Sequence, residues 1–156
     1  PMSFQITGLD AAPFRRFYGL SNDELQSLGV KRLIADTSPG FPDRVELRDV
    51  EQGEALLLLN YLHQPADTPY RASHAIFVRE WAETPYRAVD EIPDVLRIRP
   101  ISLRAFDASG DMVDADLISG DGLEPTIERL FANPDAAYIH AHYAKRGCYA
   151  ARIDRA

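Results

Sequence analysis

The chain has 156 residues, 46% hydrophobic and 26% charged, with a net charge of -7 and a pI near 5.0. These values fit one globular domain over residues 1–156, long enough to bury a core without staples. The acidic balance argues against nucleic acid and anionic membranes as partners, because a surface that neutralises phosphates carries the opposite sign. It leaves room for a local basic patch that holds a small anionic molecule.

Cys148 is the only cysteine, so no intrachain disulfide and no four-cysteine zinc site can form. That suits a reducing compartment. The opening PMSFQITGLD has neither a basic n-region nor an apolar h-region, so no secretory signal is expected. The longest aliphatic run, Ala55 to Leu59, is far short of the ~20 residues that span a bilayer. The expected location is the cytoplasm.

In chain order, Phe4 to Thr7 reads as a short strand. Asp10 can cap a brief helix with Pro13 in its first turn, placing Phe14, Phe17 and Tyr18 on one face. Ser21 to Glu24 has capping-box spacing, Leu25 and Leu28 supply an apolar face, and Gly29 supplies a left-handed stop. Val30 to Ala35 is strand-like, and SPGFPD, Ser38 to Asp43, is a turn by composition. Val45, Leu47 and Asp49 alternate with charged residues, which predicts a half-exposed strand. Gln52-Gly53 then turns the chain into Ala55 to His63, whose LLLLNYL is apolar on both pleat faces, the pattern of a central strand covered on both sides.

A two-proline loop, Gln64 to Ser73, leads to the strand His74 to Trp81, rich in β-branched and aromatic residues. Thr84 to Pro93 reads as loop and Pro93 to Arg97 as one helical turn. Ile101 to Asp107 and Met112 to Ile118 form two strands joined by ASGD. Gly120 to Asn133 is a helix, with Asp121 capping, Pro125 in the first turn, and Ile127, Leu130 and Phe131 as its buried stripe. Tyr138 to Ile153 closes the chain as a hairpin. The expected fold is α+β: a mostly antiparallel sheet of six to eight strands with two or three short helices packed on it. The pentapeptide TPYRA occurs twice, at Thr68 and at Thr84, and reads as repeated turn chemistry.

The closing hairpin YIHAHYAKRGCYAARI is the densest packet of reactive side chains. Side chains at i and i+2 of a strand share a face, so His140 and His142 stand side by side with Tyr138 on their row. Two such imidazoles can grip zinc, iron or copper, given a further ligand from His74, His63, Glu80 or Cys148. Spacing does not specify that ligand, so a metal is an open cofactor and no residue is assigned to one.

Cys148 is a candidate nucleophile if it meets the histidines and Lys145 or Arg146. With Tyr143 opposite Cys148, thiol and imidazoles take opposite faces, whereas an odd-length turn or a bulge would bring them together. Arg71, Arg79, Arg104, Lys145, Arg146 and Arg152 form a cationic set. Arginine within a strand must be paired or reach solvent, and Arg104 and Arg152 are the least at ease there. Internal pairing to Glu80, Asp107 or Asp154 is the plain alternative to anion binding. Ser73 beside His74 makes no triad, and no nucleophile elbow, phosphate-binding glycine loop or H-E-x-x-H is present.

LLLLNYLHQP, PYRASHAIFVRE, SLRAFD, MVDADLI and YIHAHYAKRGCYAARI together resemble the bacterial family catalogued as domain of unknown function 1203. The resemblance runs from SFQITGLD to the end. It implies a small, single-domain bacterial protein and carries no activity, metal or catalytic residue. Tyr143 departs from the asparagine expected after the second histidine.

Three hypotheses follow. The leading one is a small-anion or small-molecule site, open to catalysis, where the last hairpin meets the His74 to Trp81 strand. There His74, His140, His142 and Cys148 would be the catalytic candidates, and His63, Arg71, Arg79, Arg152, Tyr143 and Tyr149 would bind ligand. The second is a non-enzymatic interaction module or homodimer presenting Trp81, Phe77 and tyrosines, with structural histidines. The third is a histidine-ligated metal protein. Whether the protein is an enzyme is left open by the residues alone.

Overall fold

A computed structural model describes residues 3–156 of the chain. Its strands sort into two antiparallel sheets. The larger is built from β1 (Phe4–Thr7), β5 (Arg87–Val89), β6 (Pro100–Phe106), β7 (Met112–Ser119), β8 (Tyr138–Tyr143) and β9 (Tyr149–Arg155), in the order β5-β1-β9-β8-β6-β7. The smaller holds β2 (Lys31–Ile34), β3 (Ala55–Gln64) and β4 (Ala72–Arg79), with β3 in the middle. Three short helices complete the α+β fold: α1 (Asn22–Ser27), α2 (Asp94–Arg97) and α3 (Leu123–Phe131). Among the described residues no helix is long and apolar enough to cross a membrane.

The central position of β3 follows from its composition. Leu57 and Leu59 pack into one apolar cluster with Phe14, Phe17 and Ile76, while Leu56 packs on the other side with Ala35 and Val50. An antiparallel strand flanked on both edges and covered on both faces has no polar face to present, so it is apolar on both. The larger sheet packs one face on α2 and α3. Ile101, Leu103, Ile139, Ala141 and Ile153 meet Leu96, Leu123, Ile127, Leu130 and Phe131 there. Burying a side chain of that size stabilises by about 1.5–3 kcal/mol. That leaves the opposite face of β6 and β8 free to meet the C-terminal end of β3.

The capping box at Ser21 forms: its hydroxyl accepts from the Glu24 amide at 3.1 Å and the Glu24 carboxylate accepts from the Ser21 amide at 3.2 Å. Gly29 stops the helix with φ +75°. Five local expectations are corrected. The segment after Asp10 is a turn followed by a 3-10 helix at Arg15–Phe17, although Phe14, Phe17 and Tyr18 are buried as the spacing requires. Leu28 is 51% exposed, because α1 is too short to turn a second residue inward.

Residues 45–49 are not a strand. Buried Asp43 accepts the amides of Glu46 and Arg79 and folds the segment into a turn, from which Val45 and Leu47 still reach the core. Asp121 does not cap α3; a 3-10 turn over Gly120–Gly122 precedes that helix, and its first residue is approached without a side-chain cap. The loop 84–93 also contributes an edge strand, β5, which pairs with β1.

Candidate functional site

All four histidines of the chain meet in one place. His140 and His142 stand on the same face of β8, as their spacing requires. His63 comes from the other sheet. It is the extra residue of a bulge in β3, because Leu62 pairs with Ser73 while Gln64 already pairs with Ala72. The bulge turns His63 inward, so that His63 and Gln64 are buried in succession where Leu62 is exposed. His74, on β4, completes the set: its Nδ1 lies 2.7 Å from His63 Nε2, with the rings nearly parallel.

Three of these rings are out of water: His63 is 8%, His140 4% and His142 0% exposed. Ring nitrogens of His63, His140 and His142, one from each, lie within 4.8 Å of one another. Each of the three also carries a buried nitrogen that no group in the described chain bonds: His63 Nδ1, His140 Nδ1 and His142 Nε2. A buried polar atom without a partner costs about 1–3 kcal/mol, so these three rings carry an unmet hydrogen-bonding demand in one small region.

The tautomer can be assigned at one of the rings. The Gly147 carbonyl, 2.9 Å from His142 Nδ1, can only accept, so His142 carries its proton on Nδ1 and presents a bare lone pair on Nε2. If His63 donates its Nε2 proton to His74 Nδ1, its Nδ1 is likewise a bare lone pair. A ligating histidine is oriented in this way, with its second nitrogen donating to a carbonyl or another acceptor.

Electrostatics points the same way. Burial pushes His63 down to about 4 and His140 and His142 to about 3, with the neighbouring imidazoles and Arg104 adding to the effect. All three are therefore neutral imidazoles at neutral pH, the form a metal requires.

The surroundings are aromatic and cationic. Tyr149 pairs with His142 across the hairpin and stacks on His63, ring centroids 5.3 Å apart and planes 11° apart. Phe106 and Tyr138 flank His140, and the Gln64 amide donates to the Tyr138 hydroxyl. Two arginines sit directly opposite His140, Arg104 on β6 and Arg152 on β9. Arg152 pairs with Asp154 and lies over the Tyr138 ring. Arg104 has no carboxylate partner among the described residues; its Nε reaches only Ser102 Oγ, at 3.3 Å, and burial lowers its pKa.

Of the residues singled out from sequence, His63, His74, His140, His142 and Tyr149 are together, with Arg152 beside them. The rest are elsewhere. Arg79 is bound by Glu46, 33 residues away in sequence, and its guanidinium has no part in the cluster. Arg71 is exposed in the loop and donates to the Pro65 carbonyl. Tyr143 and Cys148 share the other side of the hairpin, with Tyr143 N donating to the Cys148 carbonyl. A bulge does occur between β8 and β9, but its extra residue is Ala150, beyond the tyrosine. It leaves Tyr149 on the side of the histidines and Cys148 away from them. Cys148 instead accepts from an Arg44 guanidinium nitrogen at 3.1 Å. Trp81 is 60% exposed against Tyr18, and Phe77 packs on Phe41.

Sequence reasoning left Arg104 unplaced and missed Arg44. Arg104 was noticeable only as an uncomfortable cation within a strand; nothing local says that it lies opposite His140. Arg44, in a charged turn segment, carries no signal at all, yet it is 1% exposed. Neither a curated protein nor a solved structure matches the chain significantly. The model of one family, described as "Protein of unknown function (DUF1203)", matches residues 40–155, a stretch that contains every residue of the cluster. The chain belongs to the DUF1203 family.

Proposed function

We propose that this protein holds one transition-metal ion between its two sheets, on His63, His140 and His142, and uses it to bind a small anionic molecule. What carries this is the convergence of three buried histidines, each with a ring nitrogen left unbonded, within 4.8 Å. Zinc–imidazole bonds of 2.0–2.1 Å set tetrahedral nitrogens about 3.4 Å apart, so side-chain adjustments of roughly 1 Å complete the site. Three neutral nitrogens with no carboxylate suit zinc, copper or iron(II) better than magnesium or calcium.

Three protein ligands leave a coordination position open, the arrangement in which a bound water is acidified toward neutral pH. Arg104, unpaired beside His140, supplies the charge that would attract an anionic molecule to that position. The chemistry favoured is hydrolysis or hydration of such a molecule. Cytoplasmic residence without a nucleic-acid or membrane partner accompanies this proposal, supported by the acidic charge and the single unpaired cysteine, and bacterial origin is what the family resemblance implies.

The test is calorimetric titration of chelator-stripped protein with Zn²⁺. One equivalent should bind, and His140→Asn and His142→Asn should each weaken binding by about a hundredfold or more. Near-ultraviolet circular dichroism reports whether each variant keeps the fold. No binding to the unaltered protein, or equal binding by folded variants, contradicts the proposal.

A further inference from the structure

A cavity of about 380 Å³ opens on the other side of the closing hairpin, away from the histidines. Volumes of this order accommodate small molecules. Every charged residue of its lining is a cation: Arg44, Arg99, Lys145 and Arg146 border it, and no acidic side chain does. That is unexpected in a chain with 24 acidic and 17 basic residues. Arg99 is the one cation of the four with an ion partner among the described residues, Asp49.

Arg44 forms the floor. It is 1% exposed, and its guanidinium donates to the Tyr149 and Pro42 carbonyls and to Cys148 Sγ, while lying 4.8 Å over the Tyr143 ring. No carboxylate binds it. A buried guanidinium without a counter-charge is costly, and a negative group in the adjoining cavity lowers that cost.

Tyr143, 5% exposed, also lines the cavity. The walls are the edge-packed rings of Phe41 and Phe77, 5.4 Å apart. Lys145 and Arg146 stand exposed at the rim, on the turn between β8 and β9.

We propose that this cavity is a second binding site, for a small carboxylate with an apolar body. The carboxylate meets Lys145 and Arg146, and the body lies against Phe41 and Phe77 with Cys148 beside it. The site is independent of the histidine cluster, so the two proposals stand or fall separately.

Cys148 gives the readout, being the only thiol. Chelator-treated protein is alkylated in parallel with iodoacetate and with neutral iodoacetamide, and benzoate serves as the probe carboxylate. An ordinary thiol reacts faster with the amide. Here iodoacetate should win by about tenfold, the low end of what a focused positive field contributes, and added salt should erode the preference. Lys145→Gln with Arg146→Gln, both at exposed positions, should restore the preference for the amide. Millimolar benzoate should slow alkylation saturably, while benzyl alcohol should not. Three results overturn the proposal: iodoacetate no faster than iodoacetamide, equal protection by sulfate and benzoate, or a thiol that reacts only after denaturation.

Discussion

His142 is held from one side and left bare on the other. The Gly147 carbonyl fixes its proton on Nδ1, and nothing in the described chain meets its Nε2. His74 holds the His63 ring through a 2.7 Å contact between ring nitrogens. A positioning partner and a ligand are distinguishable by magnitude. Replacing His74 with Ala should weaken zinc binding by about ten- to a hundredfold without abolishing it. His142→Asn, which removes a ligand, should weaken it by more than about a hundredfold, and calorimetry with both variants checks the difference. At this scale the sequence showed much of the site: His-x-His on a strand is enough to place two imidazoles on one face. It could not show that His63 and Arg104 join them. Those residues are 77 and 36 positions before His140, and no local pattern encodes a contact across two sheets.

Two bulges shape the site at the scale of elements. One, at His63, turns a β3 residue inward; the other, at Ala150, leaves Tyr149 beside the histidines and Cys148 behind them. Bulges re-aim single side chains and are found beside functional sites. Alternation arguments assume a regular ladder, which is why strand positions were legible in the sequence while the side on which the thiol falls was not. The turn at 45–49 was misread for a related reason: its alternating Val45 and Leu47 reach the core from a backbone held by Asp43, with Leu47 at φ +51°.

Elsewhere the elements are tied by paired charges. Glu80, 6% exposed, accepts two bonds from Arg32 at 2.8 Å and one from the Gly19 amide. Glu80→Gln should destabilise the fold by about 1.5–3 kcal/mol in denaturant unfolding, since it takes the charged acceptor from the partly buried Arg32 guanidinium. The hydrogen bond from Arg32 holds the Glu80 carboxyl below the usual carboxylate range. Its stabilisation is therefore complete above the unfolded-state value of 4.5 and is lost as pH falls through the lower folded value. Unfolding measured across pH 3–6 should show a shallower acid decline in Glu80→Gln. At α1, Ser21→Ala removes the cap and should cost about 1 kcal/mol.

For the whole molecule, the histidine cluster is a junction. His63 and His74 belong to the three-stranded sheet, and His140 and His142 to the six-stranded one. An ion on three of them would tie the sheets together, so binding and stability are linked. With free zinc at about a hundred times its Kd, the native state gains about 2.7 kcal/mol. For a chain of this length that raises Tm by roughly 5–10 °C, and differential scanning calorimetry with and without chelator reads it directly. The α+β class was legible from the order of apolar runs, helices and turns. The division into two sheets was not, because pairing partners depend on contacts far apart in sequence.

The most direct measurement is elemental analysis. Protein purified without a histidine tag or nickel resin is equilibrated with one equivalent of zinc, desalted, and analysed by plasma mass spectrometry. Close to one metal ion per chain is expected, falling to background in the double variant His140→Asn, His142→Asn. Less than about a tenth of an equivalent in the unaltered protein would contradict the account.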